Sequence, residues 1–120
     1  MPFDGDLEEI DRRSRAMAQQ AAIVLGEARR KFMSGDWRWI KNRWTDGAGG
    51  VCMVEGVQIE AQDDVEAYGA ALGYLVLAIG GYQGTKSRER IGADYNDRNS
   101  FPDVVAMLAR ARQLAEKDAR

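Results

Sequence analysis

The side chains best suited to catalysis are scarce in this chain of 120 residues. It contains no histidine, which is the commonest general base and the commonest ligand of transition metals. Cys52 is the single cysteine, so a Cys–His nucleophile is excluded, and one thiol cannot build a zinc site without histidine. We therefore expect Cys52 to be a small buried apolar residue. We predict a non-enzymatic protein with no catalytic residue, no metal and no cofactor.

Carboxylates can perform acid–base chemistry or bind magnesium without histidine. The densest polar cluster consists of Asp94, Asn96, Asp97 and Asp103. An enzyme that works around Asp94 and Asp97 is therefore one alternative. The interpretation that we favour is turn and cap chemistry, because Asn and Asp side chains bond nearby backbone groups in loops.

Two glycine-rich stretches have partial likeness to phosphate-binding loops. Residues 47–52 begin like a dinucleotide fingerprint but end in cysteine, and residues 84–87 lack the Gly-Lys step of a P-loop. We predict that both are flexible loops.

A basic segment rich in tryptophan spans residues 28–44. It contains six basic residues and one acidic residue, Asp36, which gives a local charge of +5. The basic residues are Arg29, Arg30, Lys31, Arg38, Lys41 and Arg43, and the aromatic residues between them are Phe32, Trp37, Trp39 and Trp44.

The spacing in this segment is compatible with a short helix that Asp36 caps. Trp37, Ile40 and Trp44 would then face the core, while Trp39 would be exposed. An exposed tryptophan beside arginine is typical of a protein interface, although basic and aromatic residues together also bind phosphates and stack on bases. We predict a protein partner, with nucleic acid as the alternative and a purely structural core as the rival. The predicted partner-binding residues are Arg30, Arg38, Trp39, Lys41 and Arg43.

The first helix has the clearest pattern. Asp6 is its predicted N-cap, Glu9 is the capping-box partner, and apolar residues then recur at three, four or seven positions as far as Phe32. It would end at Ser34-Gly35 after about 40 Å. Because so small a body cannot cover a helix of this length, we predict a homodimer through this helix.

Two further helices are predicted downstream. One begins after Asp63 or Asp64 and ends at Gly80-Gly81, and its Gly69 and Gly73 predict close packing against another backbone. The last begins at Ser100 with Asp103 as its capping partner.

The remaining segments are less regular. Residues 51–61 fit a helix, which we favour, or a small hairpin that begins at Val51. Residues 82–99 are predicted to be a polar loop. The expected fold is all-α, a compact helical bundle with a long N-terminal helix in one domain over residues 1–120, and the hairpin would make it α+β.

Several landmarks occur in a characteristic order. They are Trp44, residues 50–56 (Gly-Val-Cys-Met-Val-Glu-Gly), residues 91–97 (Ile-Gly-Ala-Asp-Tyr-Asn-Asp) and the helix after Ser100. In this order the chain resembles, over residues 37–118, a family of small bacterial and phage proteins of unknown function. Tyr95 stands where that family has tryptophan, and Gly56 falls one place late. The resemblance implies a helical fold without established catalytic residues. It also implies a phage or mobile-element accessory protein that binds and modulates a host protein, such as a counter-defence inhibitor.

The composition favours a globular protein whose charges are balanced, without a strong overall electrostatic field. The net charge is -2, with 9 basic and 10 acidic residues in the first half and 8 and 9 in the second. Residues 1–5 lack the pattern of a signal peptide, and the longest apolar stretch, residues 70–79, is shorter than the about 20 residues that span a bilayer. We expect a cytoplasmic protein that does not enter a membrane.

Overall fold

The computed structural model describes residues 2–120, with side chains from Leu7 onward, and it is predominantly helical. The elements are α1 (Pro2–Ser34), β1 (Arg38–Trp39), β2 (Gly50–Val51), α2 (Met53–Ala61), α3 (Val65–Ile79), α4 (Arg88–Arg98) and α5 (Phe101–Asp118). β1 and β2 pair in parallel, with Arg38 opposite Gly50 and Trp39 opposite Val51. The predicted helical class is confirmed, and this short strand pair is the sheet structure of the described residues.

Helix α1 is longer than its sequence pattern predicts. It begins at Pro2, so the prediction that Asp6 caps it is wrong, and the Asp6 side chain lies outside the described residues. Glu9 pairs instead with Arg12 and Arg13, at 3.0 and 3.3 Å. The 33 residues of α1 span about 50 Å.

The core lies where α1, α3 and α5 pack together, with α2 and α4 against them. From Ala18 onward α1 contributes Ala21, Leu25, Ala28 and Phe32 to this core. By contrast, residues 7–14 of α1 are all exposed. The body therefore covers the C-terminal half of α1 and leaves its N-terminal half extended into solvent.

Local signals locate two helix starts and two helix ends correctly. The first of these ends is Ser34, which Gly35 follows with a φ of +86°. Asp64 caps α3, accepting a hydrogen bond from Ala67 N at 2.9 Å, and Gly80 ends that helix with a φ of +137°. Ser100 and Asp103 form a complete capping box at the start of α5.

The ambiguous segment 51–61 resolves in favour of the helix. α2 covers Met53–Ala61, and the hairpin alternative is wrong because β2 contains two residues and pairs in parallel with β1. Cys52 is the N-cap, and its Sγ accepts a hydrogen bond from Glu55 N at 3.4 Å.

Two other segments differ from the predictions. No helix forms over residues 36–44, where β1 and a loop lie instead. Residues 88–98, predicted as part of a polar loop, form α4 with Ser87 as N-cap. Ion pairs from Lys86 and Arg90 to Asp94, at 3.0 and 3.2 Å, support this polar helix.

The predicted close approach at Gly69 and Gly73 is also wrong. A Cβ built at either position would find no atom nearer than Arg88 Nη1, at 3.8 and 3.7 Å. The two glycines line an open cavity beside Tyr74, Leu77 and Tyr82.

Candidate binding site

The basic segment 28–44 is largely engaged with the protein itself. Arg30 pairs with Glu27 at 3.0 Å, and Lys31 pairs with Glu60. Arg38 pairs with Asp46, and Lys41 lies over the Trp39 ring at 5.3 Å. Arg43 is different, because it is exposed and forms no ion pair with any side chain that the structure describes.

Two of the three tryptophans are placed differently from the prediction, whereas Trp37 packs on the core as predicted. Trp37 and Trp39 are half-buried and pack on the core, where Trp37 meets Phe32 and Trp39 meets Phe101 at centroid distances of 5.2 and 5.8 Å. Trp44, predicted to be core, is 43% exposed. The prediction of an exposed Trp39 is wrong because it assumed a helix. In extended chain, alternate residues share a side, so Trp37 and Trp39 point the same way.

Asn96 connects this loop to α2 and α4 and is fully buried. Its Oδ1 accepts hydrogen bonds from Trp39 Nε1 at 2.6 Å and Met53 N at 3.1 Å. Its Nδ2 donates to Ile40 O at 2.9 Å. One amide therefore satisfies three polar groups from two different segments, which fixes the loop against the helices.

Asp97 positions the residues that follow. Its Oδ1 accepts hydrogen bonds from Asn42 N at 2.7 Å and from Asn96 Nδ2 at 3.3 Å. Asn42 has a φ of +66°, a left-handed conformation that asparagine tolerates better than most residues. This bend is followed directly by Arg43 and Trp44, so Asp97 anchors the bend that precedes the exposed pair.

The glycine-rich loop at residues 46–50 is organised around its own carboxylate. Asp46 Oδ1 accepts hydrogen bonds from Ala48 N at 2.9 Å and Gly50 N at 2.8 Å. The Ala48 bond, then the Arg38 guanidinium, then the Gly50 bond lower the pKa of Asp46 from 3.8 to about 2. Two amides that a phosphate would need are thus occupied by Asp46.

A cavity of about 300 Å³ opens between the loop that carries Arg43 and Trp44 and one side of α4, from its N-cap Ser87 to Asp97. We call it the loop–α4 cavity. Cys52 lies in its wall and is 3% exposed, and burial raises the pKa of its thiol. The lining residues are Asn42, Arg43, Trp44, Cys52, Ser87, Glu89, Arg90, Ala93 and Asp97.

The predicted carboxylate cluster is divided by the fold. Asp97 lines the loop–α4 cavity, whereas Asp94 lines another cavity, of about 110 Å³, and pairs with Lys86 and Arg90. Those two partners, the Lys86 hydrogen bond first, lower the pKa of Asp94. Asp103 belongs to the α5 capping box. The described residues contain no group of three His, Cys, Asp or Glu side chains placed to hold a metal ion.

The five predicted partner-binding residues are placed in different surroundings. Arg30 lines a different cavity, between α1 and α5, and Arg38, Trp39 and Lys41 contact the protein's own side chains. Arg43 is the one of the five that lines the loop–α4 cavity. Its neighbour Trp44 was missed because the assumed helix placed it in the core. Ser87 was a usable signal for α4, since serine is a preferred N-cap residue.

The fold and the cavity define a small helical protein with an open cavity between a loop and α4. The chain belongs to the Family of unknown function (DUF6197), whose model matches residues 15–114. The match starts where α1 approaches the body and ends within α5. Neither the curated proteins nor the solved structures gave a match to the chain. None of the helices that the structure describes has the length and apolar character needed to cross a membrane.

Proposed function

We propose that this protein is a small non-enzymatic binding module that contacts a protein partner through Arg43 and Trp44 at the mouth of the loop–α4 cavity. The observation that carries the proposal is the exposed indole of Trp44 beside an unpaired guanidinium and a cavity large enough for a side chain. Tryptophan and arginine are the residue types most enriched among interface hot spots.

The free energy available from Trp44 is substantial. A tryptophan side chain presents roughly 250 Å² of surface, so an exposed fraction of 43% leaves about 100 Å². Burying that area under a partner contributes about 2.5 kcal/mol at 25 cal/mol per Å². The loop is already fixed by Asn96 and Asp97, so little ordering entropy opposes binding.

Nucleic-acid binding through residues 28–44 has weaker support. Phosphate binding needs several free cations, and three of the six basic residues of the segment, Arg30, Lys31 and Arg38, are paired with carboxylates. Base stacking needs open aromatic faces, and Trp37 and Trp39 pack on the core. A protein partner needs only the exposed side chains of Arg43 and Trp44.

The proposal is tested with matched variants in a quantitative pull-down from the native host. The partner retained by the wild-type chain is identified, purified and titrated against Trp44→Ala and against Tyr82→Ala, an exposed tyrosine that lines another cavity. We expect Trp44→Ala to weaken binding by about 30-fold, as a hot-spot truncation does, and Tyr82→Ala to change it less than about twofold. Equal affinity of Trp44→Ala and the wild type would contradict the proposal.

A second pair of variants separates specific from general charge effects. Arg43→Ala and Arg110→Ala remove the same charge from exposed positions, but Arg110 does not line the loop–α4 cavity. Arg43→Ala alone should weaken the complex. If DNA or RNA binds at low salt instead, and Arg38→Ala with Lys41→Ala flattens the salt dependence, nucleic acid is the ligand.

Three finer statements belong to the same proposal. The partner is a host protein, and this chain is a phage or mobile-element accessory protein that modulates it. The family resemblance is the support for this statement. The compartment is the cytoplasm, for which the free thiol of Cys52 is the supporting observation. Self-association through the extended half of α1 is the further interaction that exposed Leu7 and Ile10 support.

A further inference from the structure

We infer that the group which the partner inserts into the loop–α4 cavity is a cationic side chain, an arginine or a lysine, held between the Trp44 indole and the carboxylates of Glu89 and Asp97. This inference rests on the proposed function, because it names the chemistry of the partner at the same site.

The two carboxylates are half-buried and have no cation of their own. Asp97 uses Oδ1 for Asn42 N and Asn96 Nδ2, both of them neutral donors. Glu89, in the first turn of α4, forms neither an ion pair nor a side-chain hydrogen bond with the described residues. Partly desolvated carboxylates of this kind gain most from a cation that brings its own hydrogen-bond donors.

The two arginines of the cavity do not neutralise these carboxylates. Arg90 lines the cavity, but its side chain is 70% exposed and its Nε lies 3.2 Å from Asp94 Oδ1. Asp94 does not line the cavity. Arg43 is exposed on the loop. Both arginines line the cavity, but neither forms an ion pair with Glu89 or Asp97 among the described residues.

Asp97 and Glu89 act on the pKa values of two neighbouring groups as secondary causes. Burial is the main cause of the raised pKa of Cys52, and the charges of Glu55 and Asp97 raise it further. Burial likewise raises the pKa of Tyr68 to about 12, with Glu89 as the next cause. Burial disfavours every charged form, so only the secondary contributions of Asp97 and Glu89 bear on the sign of the ligand, and these favour a positive one.

Trp44 completes the site. A guanidinium or ammonium over an indole face is attracted by its quadrupole, and tryptophan is the best aromatic residue for this contact. The cavity volume of about 300 Å³ accommodates one long side chain.

The test uses N-acetyl-arginine methylamide as probe, with N-acetyl-citrulline methylamide as its neutral isostere. Binding is followed by two-dimensional NMR at the Trp44 indole N–H and at the amides of Ser87 and Ala93. We expect the arginine probe to bind at least about fivefold more tightly than the citrulline probe. Glu89→Gln should weaken it by roughly threefold or more. Glu66→Gln, which changes the first turn of α3 in the same way, should leave it unchanged.

Three results would overturn the inference. The first is equal binding of the arginine and citrulline probes, and the second is tighter binding of N-acetyl-aspartate methylamide. The third is the absence of a saturable shift with the arginine probe at roughly 50 mM, a concentration far above the dissociation constant expected for one side chain. Failure here remains distinguishable from failure of the proposed function. Trp44→Ala would still weaken binding of the purified partner if that partner inserts a neutral or anionic group.

Discussion

At the scale of single residues, Asn96 does most to hold the candidate site in place. It is fully buried, and its partners Trp39 and Ile40 lie 57 and 56 residues away along the chain. A buried amide with all its hydrogen bonds formed fixes one arrangement of its neighbours, because each of its bonds has one allowed direction. An apolar residue imposes no such direction.

Asn96→Ala should destabilise the protein by about 2–4 kcal/mol, because buried Met53 N and half-buried Trp39 Nε1 and Ile40 O would all lose a partner. The measurement is urea unfolding followed by tryptophan fluorescence. Asn99→Ala is the control, since half-buried Asn99 donates one hydrogen bond, to Tyr95 O at 2.8 Å, and should cost about 1 kcal/mol or less. Equal losses in the two variants would contradict the role assigned to Asn96.

The same residue marks the limit of sequence reasoning about the site. Asn96 and Asp97 were singled out as polar residues, but turn chemistry was the expected role. Their actual partners belong to a distant loop. Local patterns carry no information on such pairings. By contrast, the buried state of Cys52 followed correctly from its residue type and the lack of histidine.

At the scale of elements, predictions succeeded where the cause of the structure was local. The caps at Asp64 and Ser100 act within three residues, and sequence located both correctly. The segment 36–44 failed because its conformation is set by pairing with Gly50 and Val51, and by the Asn96 bond to Ile40 O. α4 was missed because its exposed face is strongly polar and its apolar contacts are few, with Ile91 and Gly92 buried.

Glycines within helices provide a direct test of the element packing. An added Cβ at Gly92 of α4 would lie 2.6 Å from Val54 Cγ2, in a buried contact with α2. At Gly69 of α3 the nearest atom would be Arg88 Nη1 at 3.8 Å. Alanine improves helix propensity at both positions, so packing decides the sign of each change.

We expect Gly69→Ala to stabilise the protein by about 0.5–1 kcal/mol and Gly92→Ala to destabilise it by about 1–2 kcal/mol. Thermal and urea unfolding of both variants measure the difference. A stabilising Gly92→Ala would mean that α2 and α4 do not cross as closely as the structure has them.

At the scale of the whole molecule, the extended half of α1 is the main departure from a compact shape. The molecule measures 55 × 31 × 23 Å, and residues 7–14 are exposed along the long helix. Leu7, Ile10, Ser14 and Met17 follow the three- and four-residue spacing of a coiled-coil seam, and Leu7 and Ile10 are 62% and 59% exposed. The predicted homodimer would cover this face. An antiparallel pair is favoured, because acidic residues 8, 9 and 11 precede basic residues 12, 13 and 15.

A chain that begins at Ser14 tests two points. The first is whether the rest of the protein is equally stable without residues 1–13, and the second is whether the homodimer needs them. Because the removed side chains from Leu7 onward touch no core residue, we expect its free energy of unfolding to stay within about 0.5 kcal/mol of the full chain. Leu7 and Ile10 are 62% and 59% exposed, so burying the exposed part of both residues in two copies contributes about 4–7 kcal/mol. This gain lies in the lower part of the association cost of about 4–15 kcal/mol, so the full chain should form only a weak, concentration-dependent dimer. Sedimentation equilibrium should show that dimer for the full chain and a monomer for the shortened one. The double variant Leu7→Glu with Ile10→Glu should reproduce the monomer without loss of residues. A full chain that stays monomeric at about 100 µM, the range where interfaces this small associate, would refute the homodimer and leave the Trp44 corner as the interaction surface.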